Sequence, residues 1–455
     1  MHMRAPISTT PNRGSQLSVA GPAVVSAFAA AVVVWVTWFV THIPWSGLTA
    51  PVQTGFVVGA WLIAAMVAGR RVGNVGGRAL KVGLVSGLIT SLVGLLILGS
   101  KLVQPEVGSA TGAALRPSAA VMALGFVGLG MLIGTIGGLV GSLFPRGEHN
   151  QRDEPDWLAW FAIVVLAIAA PLLFIGGLVT TTNSGMAVPD WPNTFSSNMF
   201  LYPLGTAPAD IFLEHSHRLF GTFLGLGSLV LMVWTARVEK RRWVKGWAVG
   251  IFVAVCLQGL LGGLRVLKGD AASVEDHGWN AVLHGIGAQL IFSALVALAV
   301  YLSPLYKSAV ANPNAPGGKR LRIFGAAALH STFLQLVFGA IYRHTRSMHA
   351  LWTHAGFSIF VVLFSVLSGA LSLKAAEGGS PLERALGRVG RWQFAVVAVQ
   401  FALGWVVFMM GGKALNAETV GAAILRTSHQ ANGALLVAIS TVAVVLARKL
   451  CPKRA

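Results

Sequence analysis

Glu214-His215-Ser216-His217-Arg218 opens an apolar run that continues from Leu219 to Ala236. A carboxylate, two imidazoles and a guanidinium thus stand where a segment of helical length enters a membrane. Ionisable groups are costly there and are usually retained for function. Just ahead lies a stretch without Lys or Arg, Thr180 to Asp210, which contains Gly185-Met186-Ala187-Val188-Pro189-Asp190-Trp191-Pro192.

Outward from this run, the 455 residues are 55% hydrophobic and 11% charged, far from the composition of soluble domains. The composition predicts an all-α integral membrane protein. A formal charge of +19 does not indicate nucleic acid, because Lys and Arg fall in short runs between apolar stretches, as cytoplasmic loops do. Cys256 and Cys451 lie far apart and offer neither a disulfide framework nor a metal-ligand spacing. The first apolar stretch, 21–40, is too long for a signal-peptide core and is followed by further spans, so it reads as a retained transmembrane helix.

A bilayer core takes roughly 20 apolar residues per helix. Four stretches of that kind, about 21–42, 52–69, 82–100 and 119–144, precede a charged, Pro-containing connector from Arg146 to Asp156. Eight more follow, at about 158–178, 211–236, 246–266, 280–303, 323–342, 350–373, 392–411 and 427–447. The expected organisation is a four-helix N-terminal membrane domain (1–145), a cytoplasmic linker (146–157) and an eight-helix core divided at 158–303 and 304–455.

Basic residues sort onto alternate connections. Arg70, Arg71, Arg78 and Lys81 share a side with Arg237, Lys240, Arg241, Arg242 and Lys245, with Lys307, Lys319, Arg320 and Arg322, with Lys374, Arg384, Arg388 and Arg391, and with the tail Arg448, Lys449, Lys453 and Arg454. This predicts both termini in the cytoplasm, with an inner-membrane location. The Pro189-Asp190-Trp191-Pro192 loop falls on the outer side, with the weakly charged connections holding Lys101, Lys268, His344 and Lys413.

The last eight spans repeat. Gln258 and Gly262, Gln335 and Gly339, and Gln400 and Gly404 share a spacing, and each pair precedes a span with a histidine near its start, His284, His354 or His429. Gly176-Gly177-Leu178 resembles Gly262-Gly263-Leu264 and precedes the span carrying His217, so a helix hairpin is used four times. The Gln and Gly one turn apart read first as a packing edge, where small residues bring backbones close and amides bond across helices.

His217, His284, His354 and His429 all fall within about two turns of the outer ends of their helices. Four imidazoles at matched depth would each carry a burial cost if unpaired. Four residues on, each has a small residue on its face, Gly221, Ala288, Ser358 or Gly433, leaving room for a flat, bulky group. Bis-imidazole ligation of haem iron between facing helices suits the pattern. Zinc suits it less, since no two histidines share one helix at i, i+4 beside a carboxylate, and a proton relay would not call for four equivalent sites. His215 points away from His217. His277 reads as a loop residue, His344 and His349 as residues in or beside a polar outer loop, and His330 as one on the cytoplasmic half of its span.

These residues resemble the haem A synthase family over about 158–447. The most specific part is Glu214-x-x-His217-Arg218 behind the Gly-x-x-x-Pro-Asp-Trp-Pro loop, supported by His284, His354 and His429. The outer loop lacks the cysteine pair of some members, and residues 1–145 have no counterpart in the family core. The resemblance implies two pseudo-symmetric four-helix halves with one haem each, one half taking haem O as substrate and the other holding haem b. The methyl group of haem O becomes the formyl group of haem A for cytochrome oxidase, with water as oxygen source.

Around His354 the positions matching Glu214 and Arg218 are Leu351 and Ala355. The expectation is therefore that His217 and His284 flank the substrate, with Glu214 and Arg218 catalytic, and that His354 and His429 hold haem b. Glu214 can stabilise a cation, trap it as an ester or act as base toward water. Arg218 can meet a haem propionate or hold Glu214 ionised, and the plainer alternative is a structural salt bridge.

Asp190 and Trp191, with Pro189 and Pro192, read either as a cover over the substrate or as an interfacial turn; Phe200 and Tyr202 read as interfacial anchors. Expected partners are haem O synthase, an electron acceptor of unstated identity and the cytochrome oxidase assembly process, with a homo-oligomer as an option. The rival readings are a dihaem b-type cytochrome taking electrons from quinol, which would place His pairs at both depths, and a repeat-built transporter.

Overall fold

The structure is a computed structural model that describes residues 18–73, 77–105, 113–144, 154–268, 274–410 and 419–452. Backbone N–H and C=O groups inside a bilayer need partners within their own segment, and long apolar runs satisfy that need as helices. The helices are α1 (Ala20–His42), α2 (Ala50–Val72), α3 (Arg78–Leu98), α4 (Ala119–Ser142), α5 (Trp157–Thr181), α6 (Ala209–Val238) and α7 (Arg242–Leu267). Then come α8 (Val274–Leu302), the short α9 (Pro304–Ser308), α10 (Gly318–Thr345), α11 (Met348–Ala375), α12 (Pro381–Met409) and α13 (Val420–Leu450). All but α9 are long and apolar enough to cross a membrane, which gives twelve spans among the described residues, as the sequence predicts. The protein is an all-α multi-pass membrane protein.

Polar side chains set the helix starts. Asp156 accepts from the Ala159 N–H at 3.1 Å, Ser347 and Thr419 do the same for Ala350 and Ala422, and Ser380 forms a capping box with Glu383.

α1 packs on α2, α3 and α5, and α4 packs on α2 and α3. Glycines permit the last two contacts. A Cβ on Gly83 or Gly87 of α3 would lie 2.4 or 2.2 Å from a carbonyl oxygen of α4, and one on Gly141 of α4 would lie 1.9 Å from the Met66 oxygen of α2. In lipid such close approach replaces hydrophobic burial as the basis of association. α1 instead uses aromatic rings: Trp35 lies 4.6 Å from Phe223 and 5.3 Å from Phe220, and Trp38 lies 5.6 Å from Phe212, all three partners on α6. Phe28 lies edge-on to Phe161 of α5 at 5.2 Å. The N-terminal helices thus brace the helix that carries Glu214 and His217.

In the rest of the chain α5 packs on α6, α6 on α7, α7 on α8 and α8 back on α5, while α10 to α13 close in the same order. The two circuits meet where α8 packs on α10 and α13 and α5 packs on α13. Hydroxyl pairs Thr181–Thr427 (3.1 Å) and Ser293–Thr441 (2.8 Å) bridge this seam.

Residues assigned to the basic side from sequence gather at one end. Arg78 pairs with Glu154 and Lys307 with Asp156, Arg241 bonds Glu239 and the Tyr301 carbonyl, and Lys449 lies over the Tyr306 ring. Lys413, Lys453, Arg454 and the part of the connector at 145–153 lie outside the described residues. Two features were not expected. A small antiparallel pair, β1 (Val103–Pro105) and β2 (Ala113–Leu115), follows α3. His277, read as a loop residue, has its backbone in the first turn of α8, since that helix begins before its apolar run; its side chain lies outside the description.

Candidate functional site

Each of the four histidines sits against a glycine of the preceding helix. A Cβ on Gly176, Gly262, Gly339 or Gly404 would lie 2.9, 3.0, 2.9 or 3.1 Å from Cε1 of His217, His284, His354 or His429. The glycines therefore make the seats of the rings. The glutamines one turn earlier are more than a packing edge. The Gln258 amide lies 3.1 Å from His284 Nδ1 and donates to the His284 carbonyl, Gln335 donates to the His354 carbonyl, and the Gln400 amide lies 3.2 Å from His429 Nδ1. His354 Nδ1 also lies 3.0 Å from the Gln335 carbonyl oxygen. The carbonyl contact at His354 Nδ1 fits a tautomer whose Nε2 is available to a metal, whereas the Gln400 amide nitrogen lies near both ring nitrogens of His429, at 3.2 and 3.5 Å. Leu172 takes the glutamine position opposite His217. That ring has only the Leu172 backbone carbonyl nearby, and its Nδ1 makes no well-aligned hydrogen bond.

The rings come together in two pairs across opposite corners of the circuits. His217 and His284 have centroids 6.4 Å apart at 74°, and His354 and His429 6.3 Å apart at 80°. Two imidazole nitrogens each about 2 Å from one metal, with ring centroids about 1 Å further back, give a centroid separation of about 6 Å. The distances thus fit an axial pair on one iron. Two nitrogen donors per site suit a metal whose remaining positions come from a macrocycle. There is room beside His217: a Cβ on Gly221 or Gly225, further along the same helix face, would meet nothing within 4 Å. Gly433, expected to line such space, instead packs near Leu336 and Gln400.

Among the described residues a carboxylate–guanidinium ion pair stands beside the first pair. Glu214, 4% exposed, receives Arg218 Nη2 on Oε1 at 2.6 Å and the Val188 N–H on Oε2 at 2.8 Å. Arg218 also donates to the carbonyls of Val188, Asp190 and Asn193. Both of its terminal nitrogens are thereby occupied in tying the loop to α6, so the sequence option of Arg218 meeting a propionate gives way to that of holding Glu214. Asp190 turns its carboxylate back onto the N–H groups of Phe195 and Ser196. Trp191 presses on α7, where a Cβ on Gly263 would lie 2.4 Å from its ring. The loop therefore bridges α6 and α7 beside the first pair.

His215 is buried on the loop side, 3.0 Å from Thr194 Oγ1 and against the Tyr202 ring, facing away from His217 as expected. His330 bonds the Ala326 carbonyl of its own helix. Leu351, at the position matching Glu214, is buried.

Sequence reading missed the arginines at this end. Arg265 lies one turn beyond Gly262, Arg343 one turn beyond Gly339 and Arg426 one turn before His429. The recurrence of Arg three or four residues from the ring seats was the available signal.

The fold is thus a membrane helical bundle in which two pairs of imidazoles face each other across opposite corners of two helix circuits, with a carboxylate–guanidinium ion pair beside one of them. A family model described as cytochrome oxidase assembly protein matches residues 159–362. Heme A synthase of Lysinibacillus sphaericus is 31% identical over 44% of this chain and 61% of that protein. The heme A synthases of Bradyrhizobium diazoefficiens and Rhodopseudomonas palustris are 24% and 25% identical, over 65% and 64% of this chain and 92% and 89% of theirs. Over these stretches the chain is similar to heme A synthases.

Proposed function

We propose that the protein is a haem A synthase, an inner-membrane oxidoreductase that converts the methyl group of haem O to the formyl group of haem A for cytochrome oxidase. The observation that carries this reading is the asymmetry between two otherwise matched histidine pairs. His217 and His284 hold the substrate iron, with Glu214 and Arg218 beside them, while His354 and His429 hold a resident haem b. That haem supplies a redox centre for electrons leaving the substrate methyl, on their way to an acceptor, with water supplying the oxygen.

The chain's own part is positional and electrostatic. Oε1 of Glu214 accepts from Arg218 and Oε2 from the Val188 N–H, which fixes the carboxylate beside the macrocycle edge, its field partly offset by the guanidinium, where a cationic centre would develop. Arg218 keeps that charge in place and anchors the loop that shields the site from water. With the basic end of the bundle in the cytoplasm, both histidine pairs lie toward the outer leaflet. The N-terminal domain keeps α6 in position, and haem O synthase is the partner that delivers substrate.

Co-expression with a haem O source, followed by pigment extraction, tests this. The intact protein is expected to accumulate haem A. Glu214→Gln is expected to accumulate haem O with the absorption of both bis-imidazole sites retained. Haem A at the normal rate from Glu214→Gln removes Glu214 from the chemistry, and only haem B from the intact protein removes the synthase reading.

A further inference from the structure

At the basic end of the bundle, where α12 begins beside α9, lies a cavity of about 500 Å³. Arg384, Arg388 and Arg391 of α12 line it, together with the apolar Leu305, Ala376 and Pro381. Spacings of four and three residues put the three guanidinium groups on one face of the helix. Arg384 donates to the Gly379 carbonyl, which holds it at the helix start. Glu383, the carboxylate nearest to them in sequence, turns elsewhere: it is buried and accepts from the Ser380 N–H and the Asn312 amide.

The arginine face continues as an apolar one. Arg388, Trp392, Ala395, Val399, Ala402 and Val406, alternately four and three residues apart, are all exposed. From Arg388 to Val399 this face runs roughly 16 Å at helical rise, half of a hydrocarbon core about 30 Å thick. Guanidinium groups thus crown an apolar lane one leaflet deep, and the Trp392 indole stands at the junction, where aromatic rings sit in membrane interfaces. A soluble anion would use the arginines and leave the lane bare, and a zwitterionic lipid would bring a cation of its own to the arginines. An anionic phospholipid matches both parts, its phosphate meeting the guanidinium forks and its chains remaining in the bilayer.

We propose that this cavity seats the headgroup of an anionic phospholipid, with an acyl chain along the exposed face of α12. The seat lies toward the opposite end of α12 from Gln400 and Gly404, which meet His429, so it stands whether or not the imidazoles hold a haem. A lipid there braces the start of the helix that supplies part of that ring seat.

Native mass spectrometry of the full chain in detergent, equilibrated with dioleoyl phosphatidylglycerol or dioleoyl phosphatidylcholine, tests this. The anionic lipid is expected to be retained at least about tenfold better, each guanidinium near the headgroup contributing about fivefold. Arg388→Gln with Arg391→Gln is expected to bring the preference below about threefold, and Arg388→Lys with Arg391→Lys, which keeps the charge, to hold it above about fivefold. Arg242→Gln, at an exposed position of α7 at the same end, is expected to keep the full preference, and millimolar inorganic phosphate to leave the bound lipid in place. Equal retention of the two lipids by the intact chain overturns the seat. An equal loss in Arg242→Gln and in the double glutamine variant also overturns it, assigning the preference to surface charge in general. Displacement of phosphatidylglycerol by inorganic phosphate overturns the lipid as occupant in favour of a soluble anion.

Discussion

A Cβ on Gly339 would stand 2.9 Å from Cε1 and 3.1 Å from Nδ1 of His354, so any side chain there has to push the imidazole off its seat. Gly339→Val is accordingly expected to reduce haem retained at the second pair by about tenfold, given a seat displaced by a methyl-sized group. Quantifying haem per protein, with electron paramagnetic resonance to count low-spin centres, checks this; unchanged content shows the seat to be irrelevant. Arg218 yields a second prediction, because its bonds to three carbonyls and one carboxylate use a planar fork that lysine lacks. Arg218→Lys is expected to loosen the Val188–Asn193 segment and lower haem A formation at least about tenfold, losing charged hydrogen bonds worth roughly 1.5–3 kcal/mol each. Limited proteolysis in that loop and the co-expression assay measure the two effects together. The histidines and Glu214 were legible in the sequence because type, depth and repeat all marked them. The glutamines were underread, since spacing shows that Gln and Gly share a helix face but not that the amide reaches across to an imidazole. Arg218 left two options open because its loop partners are backbone carbonyls, which carry no sequence signature.

At the scale of helices, α3 and α4 touch through backbone: a Cβ on Gly134 would lie 2.3 Å from the Gly83 oxygen, whereas one on Gly125 meets nothing within 4 Å. Gly134→Leu is expected to separate the pair and lower the detergent unfolding midpoint by several degrees, as a clash of about 2 kcal/mol or more in a packed interface does. Gly125→Leu is expected to leave the midpoint in place, and equal effects of the two changes would show that helix propensity rather than packing is being read. The α6–α7 connection carries a separate pH dependence. The Arg241 guanidinium hydrogen-bonds Glu239 and, with backbone N–H groups, holds its carboxyl at about 2, below its ordinary 4.5. A carboxyl pKa depressed on folding contributes stability that is complete above 4.5 and is lost as pH falls from there toward 2. Midpoints measured across that window are expected to decline less steeply in Glu239→Gln than in the intact chain; parallel curves would assign the acid loss elsewhere. The spans were legible because hydropathy reports directly on apolar length, and the sorting of basic residues was legible only in part, since Arg265, Arg343 and Arg346 stand at the other end. The short β pair after α3 was not, since three-residue strands carry no periodicity to read.

For the whole molecule, the asymmetry between two repeated circuits is the feature on which the proposed function turns. A duplicated hairpin gives both circuits the same ring seats, as the near-equal separations of 6.4 and 6.3 Å attest. Glu214 and Arg218 then distinguish one pair, while Leu351 and Ala355 occupy the matching positions at the other. The sequence could expose this difference because it lies in residue type at aligned positions. It could not expose the meeting of Arg265, Arg343 and Arg346 around one cavity, since they come from α7, α10 and the turn after α10. The seam between circuits runs through α5, α8, α10 and α13, whereas His217 and His354 sit on α6 and α11, outside it. Removing one imidazole should therefore empty its own site without dissolving the other. His354→Ala is expected to purify with about half the low-spin haem of the intact protein, one bis-imidazole centre having lost a ligand, and to accumulate haem O rather than haem A on co-expression. His217→Ala is expected to keep the second centre and to retain no haem O, since the pair proposed to hold the substrate then lacks a ligand. Should the two variants exchange these phenotypes, the assignment of substrate and resident haem is reversed, and Glu214 stands beside the electron-transfer site instead of the chemistry.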